Sequence, residues 1–268
     1  MSRYIAAYGS AYTVSAARIL GVHSGSVVPR DRIPETRVAA PALDADRIGR
    51  WMRLQALLWL PILGLAAFVD LRVLLVVPAV LTVGEATLWH VLGAGRYAAD
   101  YVTGGRTIVA LLATSFAFAS GRLELALWSL LVFAAIADLV DGFVARRFGS
   151  SSGGAVLDME ADQASFVLYA SLATYFGIAP KVMLVLPALR YGYVLLMSLR
   201  GLPIHDPKPL DGDNRRARLV CAIVVVLQLS ILAPFMDPGV RSPMAWIALA
   251  LLLPSYLSDV VALSRRAR

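Results

Sequence analysis

Eight stretches of this sequence are apolar over about the length a helix needs to cross a lipid bilayer, and they leave little chain for anything else. They run from Leu54 to Val69, Leu71 to Leu92, Tyr101 to Ser120, Leu123 to Val144, Ala155 to Ile178, Val182 to Leu199, Leu219 to Met236 and Met244 to Leu263. A helix rises about 1.5 Å per residue, so roughly 20 residues cover the hydrocarbon. The links "VDLR", "SGR", "IAPK" and "MDPGVRSP" carry the Gly and Pro that end helices. The expected fold is all-α and integral to the membrane. With 59% hydrophobic and 16% charged residues and a mean hydropathy of +0.70, no soluble domain is evident.

The formal charge of +7 does not point to nucleic acid, because the basic residues lie between apolar segments. Positive-inside topology and anionic lipid account for them better. Arg146 and Arg147, then Arg200, Lys208, Arg215, Arg216 and Arg218, then Arg265, Arg266 and Arg268 all fall on the N-terminal side if eight segments span. The opposite links carry only Arg72, Arg122, Lys181 and Arg241, so the basic side is expected to be cytoplasmic, with both termini inside. The single cysteine, Cys221, cannot form an intramolecular disulfide.

Residues 1–53 are Ala-rich and polar, without a compact signal peptide. They read as a cytoplasmic tail with an interfacial helix near "DADRIGRWMRL", where Arg and Trp anchor at headgroups. Residues 54–99 read as a membrane hairpin that either spans or re-enters. Its second arm carries Glu85 and His90 at membrane depth, and no role for them is legible.

Inside this apolar chain stands "ADLVDGFVARRFGSSSGGAVLDMEAD", residues 137–162. Asp138 and Asp141 are three apart, about 60° around a helix; Asp158 and Asp162 are four apart, about 40°. Each pair shares a face, and a short link makes the two helices antiparallel neighbours. The pairs can therefore converge at the cytoplasmic boundary, while Glu160, about 200° from Asp158, points elsewhere. An ionised Asp costs about 2.5–3.5 kcal/mol at a helix centre, so four together need neutralising. Two divalent cations match four carboxylates in charge, and hard oxygen ligands without His or Cys suit Mg²⁺, Mn²⁺ or Ca²⁺. A solvated helix cap at the loop rim is the plainer alternative. Clustered intramembrane carboxylates also line ion pathways, so a cation transporter is the competing functional reading.

The stretch resembles the signature of the CDP-alcohol phosphotransferase (CDP-alcohol phosphatidyltransferase) family, D-x2-D-G-x2-A-R, about eight residues, then G-x3-D-x3-D. Here it reads Asp138, Asp141, Gly142, Ala145, Arg146, Gly154, Asp158 and Asp162, with seven residues, 147–153, in the gap. The preceding helix offers Thr103 and Arg106 for the family's T-x2-R, with Asp100 where Asn is usual. The resemblance covers residues 100–264. It implies a six-helix catalytic transmembrane domain, 100–268, and a homodimer; the preceding residues, an extension with two further membrane helices by their apolar pattern, it does not explain.

What the resemblance implies about chemistry is specific. Such enzymes transfer a phosphatidyl group from a CDP-alcohol, here CDP-diacylglycerol, to a small hydroxyl acceptor, releasing CMP in phospholipid synthesis at the cytoplasmic face of a bacterial-type plasma membrane. Asp138, Asp141, Asp158 and Asp162 become ligands of two divalent cations, Mg²⁺ or Mn²⁺, and Asp162 also takes the acceptor proton. Gly142, Ala145 and Gly154 admit cytidine and diphosphate, and Arg146 meets phosphate oxygens. Arg190, a lone arginine within an apolar segment, is expected to hold an anionic acceptor such as a phosphorylated polyol or to snorkel toward headgroups. His23, His90 and His205 show no ligand spacing.

Overall fold

The computed structural model describes residues 45–92, 95, 97–148, 152–201 and 214–266. Among them the chain forms eight α-helices and no strand: α1 Ala45–Phe68, α2 Val77–Leu92, α3 Ala98–Ser120, α4 Leu125–Phe148, α5 Ser152–Tyr175, α6 Val185–Leu199, α7 Asn214–Leu232 and α8 Pro238–Arg266. Short 3-10 turns, Leu71–Val76 and Lys181–Leu184, lead into α2 and α6. Six segments are long and apolar enough to cross a membrane unaided: Ile48–Phe68, Leu71–Val91, Ala98–Ser120, Leu125–Ala145, Lys181–Leu199 and Pro238–Ser258. The 24-residue α5 has the length, but it carries Asp158, Glu160 and Asp162. The protein is an all-helical integral membrane protein.

Helix ends fall where the sequence supplies them. α3 opens at Asp100, whose Oδ2 accepts from the backbone amides of Gly95 (3.1 Å) and Tyr97 (3.4 Å), satisfying donors the helix start leaves free. It closes at Gly121, whose φ of 70° is a left-handed value that costs glycine little. α4 turns Leu130, Phe133, Ile136, Leu139 and Phe143 outward, a stripe at helical spacing that suits acyl chains. α5 is the opposite case: from Phe166 to Ala173 every residue is buried. It is the central helix, in contact with α2, α3, α6 and α7. Tyr169 fixes it to α4 by donating to the Leu131 carbonyl (3.3 Å), and Trp128 of α4 donates to the Leu229 carbonyl of α7 (2.9 Å).

Two features mark the N-terminal part. The interfacial helix anticipated near residues 44–54 is no separate element, because α1 runs unbroken from Ala45 through the 53/54 boundary to Phe68. A polar turn continuing an apolar helix avoids a second costly nucleation. α1 and α2 meet where Gly84 faces Gln55, and each leans mainly on later helices: α1 on α6, and α2 on α5 and α3. The described residues from 45 onward belong to one compact unit. Lys181 seals the junction by donating to the Ala67 carbonyl (2.8 Å) at the C-terminus of α1, where a cation is favoured. On the other side Gly104 of α3 meets Trp89 of α2 so closely that a Cβ there would lie 2.7 Å from the indole ring.

Residues 1–44 and the link 149–151, which holds part of the short signature gap, lie outside the described residues, as do His23, His205 and Lys208.

Candidate metal and phosphate site

Three helices bring their polar residues to one place. α4 contributes Asp138 and Asp141, α5 contributes Asp158 and Asp162, and α3 contributes Thr103 and Arg106. At about 1.5 Å per residue, Arg106 lies roughly 12 Å along α3 from its start and Asp141 roughly 10 Å from the end of α4. The site therefore lies between one end of the bundle and its middle, roughly a third of the way along α3 and α4.

The guanidinium of Arg106 is its hub. Nη2 lies 2.9 Å from Asp138 Oδ1, 2.7 Å from Asp158 Oδ1 and 2.9 Å from Asp162 Oδ1, and Nε lies 3.0 Å from Asp141 Oδ2. Thr103 Oγ1 donates to that same Asp141 oxygen at 3.0 Å. Arg106 and Asp141 are buried, whereas Asp138, Asp158 and Asp162 are 41–53% exposed in their side chains. Four carboxylates surround one cation, leaving a formal charge of −3. Nη2 carries two hydrogens but meets three carboxylate oxygens, so at least one contact is charge attraction without a hydrogen bond of its own. The geometry is that of a carboxylate cage drawn around one guanidinium nitrogen.

That cage fits a hard divalent ion. Asp138, Asp158 and Asp162 each offer an oxygen, all within 4.8 Å of one another, and the donor set is all carboxylate. Asp141, the fourth expected ligand, is the least exposed of the four and is engaged by Thr103 and Arg106.

The small residues of the signature lie between this cage and the rim. Ala145 is one turn beyond Asp141 on α4, and Gly154 is one turn before Asp158 on α5, each on the same helix face as its aspartate. Gly142 is half-buried beside them, and Gly154 is buried. Arg146 belongs to α4, and its side chain lies outside the described residues.

Arg190 has internal partners. Its guanidinium donates to the carboxylate of Glu160 through Nη2 and to the Met159 carbonyl through Nη1 (2.8 Å), on the side of α5 away from the cage. Glu160 is buried, and Glu85 of α2 lines the same small cavity together with Trp51, Gln55 and Tyr191. The sequence placed Glu160 on the other face of the helix without showing its partner.

Arg106 is the functional residue that sequence reasoning undervalued. Its signal was present: an arginine eight residues into an apolar helix, one turn from Thr103. The carboxylate pattern needed a counter-charge, and the only one among the described residues that reaches all four aspartates came from a helix outside the motif.

Comparison with known proteins returns one match. The family profile described as CDP-alcohol phosphatidyltransferase covers residues 96–254, more than half of the chain, and takes in α3 to α7 and part of α8. No curated protein and no solved structure matches the chain.

Proposed function

The chain belongs to the CDP-alcohol phosphatidyltransferase family, a family of membrane transferases of phosphate-containing groups, and from that premise we propose a metal-dependent transfer of a phosphatidyl group from CDP-diacylglycerol to a small hydroxyl acceptor, with release of CMP. The observation that carries it is the convergence of Asp138, Asp158 and Asp162 from α4 and α5, with an oxygen of each within 4.8 Å of the others, and Asp141 beside them on the same guanidinium.

Asp138, Asp158 and Asp162 would hold the divalent cations, Mg²⁺ or Mn²⁺, with Asp141 completing the set. When bound, such ions supply charge neutralisation at the diphosphate and at the departing CMP. Arg106 keeps the carboxylates gathered. Ala145, Gly142 and Gly154 leave space between α4 and α5 for the nucleotide, and Arg146 meets a phosphate oxygen. The acceptor oxygen forms a bond to the lipid-bearing phosphorus while the bond from that phosphorus to the CMP oxygen breaks. The electron pair leaves with CMP, and the acceptor proton passes to Asp162.

The apolar bundle keeps the acyl chains in lipid while the headgroup reaches the cage. The Lys and Arg distribution supports a cytoplasmic position for that end. An ion pathway would need charged groups continuing along the bundle axis, and beyond the aspartates the buried polar residues Thr114, Ser171, Thr174 and Gln228 are all uncharged.

The test incubates purified protein with CDP-diacylglycerol, Mg²⁺ or Mn²⁺ and a panel of acceptors, both phosphorylated and neutral, while CMP is followed. CMP released only with metal and one acceptor class is the expected result. Release undiminished by Asp162→Asn, or none with any acceptor, refutes the assignment.

A further inference from the structure

On the side of α5 opposite the cage, α6 holds the same turn that aims Asp158 and Asp162. Arg190 spans Glu160 and the Met159 carbonyl, and one turn along Gln163 Nε2 donates to the Pro187 carbonyl at 3.2 Å. Around the helix the midpoint of Asp158 and Asp162 lies about 150° from the midpoint of Glu160 and Gln163. We propose that Arg190 is a positioning residue: with Glu160 and Gln163 it fixes the rotation of α5, and so the placement of the two α5 carboxylates. The inference rests on the reading of Asp158 and Asp162 as cation ligands.

Three features favour this role over simple stabilisation. First, Glu160 and Arg190 are a buried ion pair, and such pairs are often no more stabilising than well-packed apolar residues of similar size. Second, Arg190 reaches a backbone oxygen as well as a carboxylate, so it grips the helix itself and not only a mobile side chain. Third, the lever is long enough to matter. Side-chain ends lie about 5–6 Å from a helix axis, so a rotation of 10° moves them by about 1 Å. Metal ligation tolerates about 0.2 Å, and a misplacement of about 1 Å costs on the order of a hundredfold in a positioned reaction.

Glu85 and Gln55 reach the same cavity from α2 and α1, so the extension backs the brace on its outer side.

The experiment measures Mn²⁺ affinity by the electron paramagnetic resonance of free Mn²⁺, and thermal stability, for purified wild type, Arg190→Lys, Arg190→Gln and the apolar double variant Glu160→Leu/Arg190→Leu. The expected result is a Kd for Mn²⁺ raised about tenfold or more, the usual cost of losing an outer partner of a metal ligand, with Tm kept in the double variant. Arg190→Lys restores little, because an ammonium cannot bridge the two oxygens as the planar fork does. Wild-type affinity in a folded double variant overturns the brace alone. Loss of folding in every variant assigns the pair to stability and also overturns it. A wild-type chain that takes up no Mn²⁺ overturns the metal reading, and the brace with it.

Discussion

Nε of Arg106 lies 3.0 Å from Oδ2 of Asp141, with the two side chains only 4% and 6% exposed. This pair is the buried root of a cluster whose other three carboxylates are half open to solvent. Removing the guanidinium would leave an uncompensated carboxylate in the bundle, a change that typically costs about 3–5 kcal/mol. Arg106→Met is therefore expected to lower Tm and abolish CMP release together. Arg106→Lys should also lose activity, since one ammonium cannot serve Nε and Nη2 positions at once. Thermal unfolding in detergent alongside the CMP assay checks both.

Thr103→Val tests the same root more gently. The change preserves shape but removes the hydroxyl that donates to Asp141. A loss of about 1–2 kcal/mol is expected, in line with one hydrogen bond to a charged group, with activity reduced and not lost. Activity and Tm both equal to wild type would mean that Arg106 alone fixes Asp141.

Metal removal should separate the open carboxylates from the buried one. Chelation is expected to stop CMP release, and Mg²⁺ or Mn²⁺ to restore it. Asp158→Asn should raise the metal concentration needed for half-maximal rate, because Asp158 contributes an oxygen to the three-carboxylate group. A metal dependence identical to wild type in Asp158→Asn would remove that residue from the ligand set.

Gly104→Ala probes how the extension seats. The added methyl would stand 2.7 Å from the Trp89 ring, so α2 and α3 must separate or the indole must turn. Overpacking of this kind costs about 1–3 kcal/mol. Trp89→Leu in the same chain should recover much of the loss, which a double-mutant cycle on Tm measures.

Much of this architecture is legible in the chain because membrane helices announce themselves by length and apolarity. The eight expected segments correspond to the eight helices of the bundle, and the aspartate spacing correctly predicts two carboxylate pairs meeting across α4 and α5. What the sequence hides is partnership across helices. Nothing local says that Arg106 faces Asp141, 35 positions away, or that Glu160 finds Arg190, 30 positions away. A lone arginine at depth signals that some partner exists but not which one. Arg190 accordingly reads from sequence as a hand for an external anion, whereas the fold gives it an internal one. The seating of α1 is hidden for a similar reason: Met52, Ala56, Trp59, Leu63 and Ala66 mark its buried face, but nothing in that face names α6 as the neighbour.

That seating governs assembly. The Ala67 carbonyl waits for Lys181, 114 positions later, and α1 rests on a helix that has not yet been made when α1 enters the bilayer. At synthesis rates of about 5–20 residues per second, the first two helices spend on the order of ten seconds surrounded by lipid and translocation machinery before α6 exists. Glu85 must be sheltered for that interval without its eventual surroundings. α1 can take its final seat only after α6, five helices later in the chain, has been made.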